Sequence, residues 1–116
     1  MEALQDLKDV GADGIEFTPR PGELESLGLT TDSIKQLLRQ SGLLVSAHYF
    51  SGPFHDPTKK AEIFRQAQEK IDSLRAFGAR NLVIGPPAAP AGVSRLEVIT
   101  RMAPVITELG RHAHTQ

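Results

Sequence analysis

The chain has 116 residues, with 13 Lys and Arg against 14 Asp and Glu, 40% apolar residues and 23% charged residues. This is the balance of one globular domain spanning 1–116, too apolar and too weakly charged for a disordered segment. A net charge of −1 gives no electrostatic reason to bind nucleic acid or an anionic membrane, no apolar run is long enough to span a bilayer, and the absence of cysteine excludes disulfides, thiol catalysis and cysteine metal sites.

The N-terminal stretch Met1–Val10 mixes acids and bases with Leu4, Leu7 and Val10, which predicts an amphipathic helix rather than a secretory signal and, with the absence of cysteine, a cytoplasmic protein. Gly11 then stops the helix, and Gly14–Phe17 reads as a short strand. A second helix follows, with Thr30 or Thr31 as N-cap and Ile34, Leu37 and Leu38 on one face, ending at Gly42. Leu44–Tyr49 is the next strand. Asp56-Pro57 opens a third helix, a capping residue followed by proline at the first helical position. Its stripe is Ala61, Phe64, Ala67, Ile71 and Leu74, closed by Gly78. Asn81–Gly85 is the third strand. A proline-rich connector leads to Ser94-Arg-Leu-Glu97, a capping box. Leu96, Ile99, Met102, Ile106 and Leu109 then form the stripe of a fourth helix, kinked at Pro104 and stopped at Gly110.

The four stopping glycines are spaced 31, 36 and 32 residues apart, and a short apolar run follows each of the first three. The repeating unit is therefore helix, glycine, strand, loop. That alternation predicts an α/β protein whose three strands pair in parallel and in chain order. A first helix with no strand before it, and a last helix with none after it, read as a segment of a longer series.

Strict alternation along each strand sorts the side chains. Ile15, Phe17, Val45 and Ala47 should meet helices, leaving Glu16, Ser46, His48 and Gly85 on the opposite face. Ligands of parallel α/β proteins bind at the C-terminal ends of strands, so Glu16 and His48 are the candidate pair, with Tyr49 and Phe50 walling a small pocket. Other signals read as structural. His55 is a solvated loop residue, Lys59-Lys60 a solvated face, and His112-x-His114 a solvated helix end without a third metal ligand.

Three stretches carry a resemblance. Leu-Lys-Asp-Val-Gly-Ala-Asp-Gly-Ile-Glu16-Phe resembles the first helix and second strand of the sugar phosphate isomerase/epimerase family, the xylose isomerase-like TIM barrels. Ser41-Gly-Leu-Leu-Val-Ser-Ala-His48-Tyr resembles the third strand of that family, and Phe77-Gly-Ala-Arg-Asn-Leu-Val-Ile-Gly85 its fourth. The resemblance implies a partial (β/α)₈ barrel of about three parallel strands and four helices, the N-terminal half of the family fold. It implies a full-length parent that uses a divalent metal (Mn, Mg, Co or Zn) to isomerise or epimerise a sugar, or to act as an inosose dehydratase-like lyase, by proton transfer next to a carbonyl. The family's metal ligands lie on later strands, so this chain alone is expected to bind no metal and to be inactive. Glu16 and His48 match substrate-side positions, and Tyr49 joins them as a substrate-binding residue for a small carbohydrate or polyol. In the endonuclease IV branch a histidine like His48 binds zinc together with one on the next strand. Asn81–Gly85 holds none, which disfavours DNA repair. The alternative is a non-catalytic half-barrel that binds a small ligand or assembles with a partner, and open sheet edges favour self-association.

Overall fold

The computed structural model describes residues 2–20 and 22–116. Met1, part of the expected first helix, lies outside them. The order is α1 (Glu2–Asp9), β1 (Gly14–Glu16), α2 (Glu23–Ser26), α3 (Thr31–Ser41), β2 (Leu44–Ser51), a 3₁₀ turn (Pro57–Lys59), α4 (Lys60–Phe77), β3 (Asn81–Gly85) and α5 (Arg95–His114). The three strands form one open parallel sheet in the order β1-β2-β3. The predicted alternation therefore holds, with one short helix, α2, that the sequence pattern does not mark. Among the described residues no helix is long and apolar enough to cross a membrane.

Local chemistry sets the boundaries. Gly11, Gly42 and Gly78 stand at φ +83°, +65° and +73°, the left-handed conformation that ends a helix and turns the chain into the following strand. Gly110 does not act this way. It lies inside α5, which continues through Pro104 and past Gly110 to His114. Thr30 caps α3, accepting from the Ser33 amide while the Ser33 hydroxyl accepts from the Thr30 amide. Ser94 caps α5 through the Glu97 amide, whereas the Glu97 carboxylate pairs forward with Arg101.

Two compact units divide the chain: Met1–Tyr49 with Ser73–Val83, and Phe50–Asp72 with Ile84–Gln116. In the first, Ile34 and Leu38 of α3 bury against Leu43 and Val45, with Leu4, Ile15 and Phe17 packed around them. The second buries Phe50, Phe54, Ile63, Ala67, Met102 and Leu109. There α4 and α5 run side by side in the same direction. Lys60 pairs with Glu108, the Phe64 ring stands 5.8 Å from His112, and His112 Nε2 lies 2.7 Å from Gln68 Oε1. His112 is thus half-buried between helices and not a solvated end. Two expected stripes are displaced. Leu96 and Ile99 are exposed while Val98, Met102 and Leu109 are buried, and Ile63 is buried where Ala61 is exposed. α5 carries apolar residues on two sides, and period alone does not choose between them.

The start of α4 is held by charge. Asp56 Oδ1 accepts from the Thr58 hydroxyl and amide, and these bonds hold its carboxyl below the usual value. Bonds from Arg65 and Gln66 hold the Glu62 carboxyl at about 2. Both folded values lie below the unfolded ones, so their stabilisation is complete above about pH 4.5 and disappears as pH falls toward 2. The expected outcome is a melting temperature that falls over this window in circular dichroism. Glu62→Gln should flatten part of the fall.

Candidate functional site

The site is built from β1, β2 as far as Tyr49 and the start of β3, all in the first unit. β1 approaches β2 closely. A Cβ on Gly14 would stand 3.0 Å from the Leu44 carbonyl oxygen and 3.6 Å from the Ser46 Cβ, so Gly14 shares a face with Ser46. Ile15 enters the α3 core, which sends Glu16 to the opposite, open face. Among the described residues the Glu16 carboxylate carries no hydrogen bond or ion pair.

β2 departs from regular pairing. Gly14 opposes Leu44 and Ile15 opposes Val45, but Glu16 opposes Ala47. Ser46 is therefore the extra residue of a β-bulge. Its hydroxyl donates to the Ile15 carbonyl at 2.9 Å, and its own carbonyl accepts from Asn81 Nδ2 at 3.0 Å. These two bonds occupy polar groups that a bulge frees from the ladder. Beyond the bulge the Phe17 amide donates to the Ala47 carbonyl, and the Tyr49 amide donates to the Thr18 hydroxyl at 2.7 Å.

The bulge reverses the alternation. Up to the bulge strict parity holds, with Val45 buried and Leu44 and Ser46 exposed, whereas Ala47 lies beyond it, buried and paired with Glu16 rather than with the helix-facing residues as the sequence pattern predicts. His48, next to buried Ala47, is also buried, at 1% exposure. It does not face the open side as the sequence pattern predicts. His48 Nε2 lies 2.9 Å from the Ser73 hydroxyl of α4, and its ring stands 6.3 Å from both Phe17 and Phe77. The physical reason is the added residue, which shifts every later side chain of the strand to the other face. Tyr49 is consequently on the open face at 41% exposure. Phe50, expected beside it as a pocket wall, is buried at 1%.

The open face thus presents Glu16, Tyr49 and the engaged Ser46 hydroxyl, with exposed Leu44 and Val83 flanking them. Glu16 ends β1, and Tyr49 lies two residues from the end of β2, so both occupy the strand ends where parallel α/β proteins bind ligands. A carboxylate accepts from hydroxyls, and a phenol both donates and covers C–H surface. That pair suits a polyhydroxylated ligand. Among the described residues no three His, Asp or Glu side chains gather where they could hold a metal ion. The described residues therefore offer no three-ligand set for a divalent metal. Asn81 and Thr18 are structural parts of the site that sequence reasoning missed. Asn81 at the mouth of a strand is a visible signal for a side chain bonding a neighbouring backbone, whereas Thr18 carries none.

A parallel sheet with a helix before each strand, and polar side chains at the strand ends, defines an α/β protein of the kind from which βα barrels are built. The sequence profile of the family described as xylose isomerase-like TIM barrel matches residues 4–116, and the chain belongs to that family. No curated protein matches the chain.

Proposed function

We propose that this chain is the N-terminal, substrate-lining part of a sugar or sugar phosphate isomerase/epimerase that acts by proton transfer next to a carbonyl. The observation that carries the reading is the placement of Glu16 and Tyr49 on one exposed face at the strand ends of a family member. In this reading Glu16 accepts hydrogen bonds from substrate hydroxyls. The Tyr49 phenol donates to a carbonyl or hydroxyl oxygen while its ring covers the sugar's C–H face. Neither is assigned as the base that moves the proton. His48 acts behind the sheet as a positioning residue, fixing the strand that carries Tyr49. A cytoplasmic location and a small carbohydrate or polyol substrate go with this reading.

The full-length parent is expected to use Mn, Mg, Co or Zn, and no step is assigned to a metal on this chain because its described residues offer no three-ligand set for one. On this reading the 116-residue chain is inactive alone. It also self-associates, because β1 and β3 are open edges and Leu44 is 73% exposed. Purified chain should show no manganese-stimulated isomerisation of a ketose or ketose phosphate, and should sediment with concentration-dependent mass. It should bind such a sugar weakly, and Glu16→Ala should weaken that binding about tenfold, the loss of one charged hydrogen bond. Metal-stimulated turnover would overturn the assignment of chemistry to other strands. Sugar binding unchanged in Glu16→Ala would overturn the role of the open face.

A further inference from the structure

An ammonium group leaves water only at a cost unless a carboxylate meets it, so a half-buried lysine asks for a reason. The sequence pattern singles out Lys59-Lys60 as a solvated face and gives no mark to Lys70. In the fold Lys70 of α4 is half-buried, and its Nζ stands 5.8 Å from the centre of the Phe50 ring. Lys60, at the start of the same helix, stands at the same 5.8 Å from the Phe64 ring, but it is exposed and its ammonium pairs with Glu108. Lys70 has no such support. Among the described residues no carboxylate forms an ion pair with it, and the adjacent Glu69 is taken by Arg65.

The two lysines therefore differ in what supports the charge. An ion pair supports the Lys60 ammonium. Around Lys70 water is partly removed and no anion takes its place. A ring face attracts a cation only out to about 6 Å, so at this distance Phe50 does more to exclude water than to hold the charge. Phe50 is itself fully buried and set edge-on to Phe54, so the surface under Lys70 is fixed. Burial holds the Lys70 ammonium below its ordinary pKa, with the Glu69 charge opposing it to a lesser degree. More of its amine is then free of the proton near neutral pH, and the free amine is the form with a lone pair to give to an electrophile.

We propose that Lys70, half-buried against Phe50 and without a carboxylate partner, is a site of acylation by a small acyl donor of the acyl phosphate class. The Nζ lone pair attacks the acyl carbon and the C–N bond forms. The C–O bond to phosphate breaks, its electron pair leaves on inorganic phosphate, and the proton lost from nitrogen passes to water. The product is a neutral amide, which lies against Phe50 without the cost of the charge, and no ion pair is lost in forming it. Acylation of Lys60 would instead break its pair with Glu108. An aldehyde suits the place less well, because the imine it forms takes up a proton and restores the cation. Half-burial limits the acyl group to a small one such as acetyl. Glu16 and Tyr49 take no part, so the site is independent of the isomerase reading.

The test is treatment of the 116-residue chain with limiting acetyl phosphate at about pH 8, below the ordinary lysine pKa, with peptide mass spectrometry reading the rate at each lysine. Lys70 is expected to react at least about threefold faster than the exposed Lys8 and Lys59. In urea, where the environment of the fold is gone, the three rates should converge to within about twofold. Gln66→Glu sets a carboxylate one turn before Lys70, the order in which a glutamate supports a lysine four positions on, and should slow Lys70 about threefold while Lys8 and Lys59 keep their rates. Circular dichroism confirms that this variant is folded. Lys70→Gln, a neutral stand-in for the acylated side chain, should melt no lower than wild type. Lys70 reacting no faster than Lys8 and Lys59 in the folded chain, an advantage that persists in urea, or an unchanged Lys70 rate in folded Gln66→Glu would each overturn the proposal. A lowered melt in Lys70→Gln would overturn the fit of the neutral product against Phe50.

Discussion

Replacing His48 with alanine is expected to lower the unfolding free energy by about 2–4 kcal/mol, through loss of a fully buried ring and of a hydrogen bond of about 1 kcal/mol. The imidazole is 1% exposed, bonded to the Ser73 hydroxyl at 2.9 Å and 6.3 Å from the rings of both Phe17 and Phe77, which meet each other edge-on at 5.5 Å. A histidine on the open sheet face would behave differently, since substitutions of exposed residues usually change stability by no more than about 0.5 kcal/mol. Ser73→Ala should cost about 1 kcal/mol alone. In the double variant the two effects should fall short of additivity, because both substitutions remove the same bond. Urea unfolding of the four proteins checks this. Full additivity, or a neutral His48→Ala, contradicts the contact.

Phe50→Ala should be more damaging still, at about 3–5 kcal/mol, a large share of the roughly 5–15 kcal/mol that stabilises a typical domain. Phe50 is 1% exposed, meets Phe54 edge-on at 5.3 Å, and lies 5.8 Å beneath the Lys70 ammonium. Burial has also pushed the Lys70 pKa down, the signature of an ammonium held against apolar surface. Strict alternation from Leu44 would place Phe50 beside Leu44 and Ser46 on the exposed face. Its burial therefore depends on the same bulge as that of His48. Tyr49→Ala, one residue away but on the open face, should cost far less. Thermal melts of the two variants give the comparison, and equal costs would mean that the strand is not divided between two faces as described.

The fold was largely legible because its signals are local. Gly11, Gly42 and Gly78 each end an amphipathic run and precede an apolar one, and the positive φ at all three is the backbone expression of that pattern. β3 begins and ends where its apolar run does, and β2 extends two residues beyond Tyr49. Glu16 was legible for the same reason: Ile15 and Phe17 on either side of it leave the carboxylate one direction to point. His48 was not. Nothing in Val-Ser-Ala-His marks Ser46 as a bulged residue, because the bonds that stabilise the bulge come from Ile15 and Asn81, 31 and 35 positions away. A long-range hydrogen bond decided which face the histidine took, and residue spacing contains no record of it. Gly110 failed for a different reason. Glycine costs about 1 kcal/mol inside a helix, and the bonds and ring contacts of His112 just beyond it are on the side of continuing the helix.

The Ser46 bulge places His48 behind the sheet and leaves Tyr49 on the same open face as Glu16. The most direct test is a set of nuclear Overhauser measurements on the His48 ring in isotopically labelled chain. Cross-peaks from the imidazole protons to the Ser73 Hβ protons and to the Phe17 and Phe77 rings, with none to the Glu16 side chain, are the predicted result. Cross-peaks from the His48 ring to Glu16 or Ser46, with Ser73 silent, would place the histidine on the open face and contradict it.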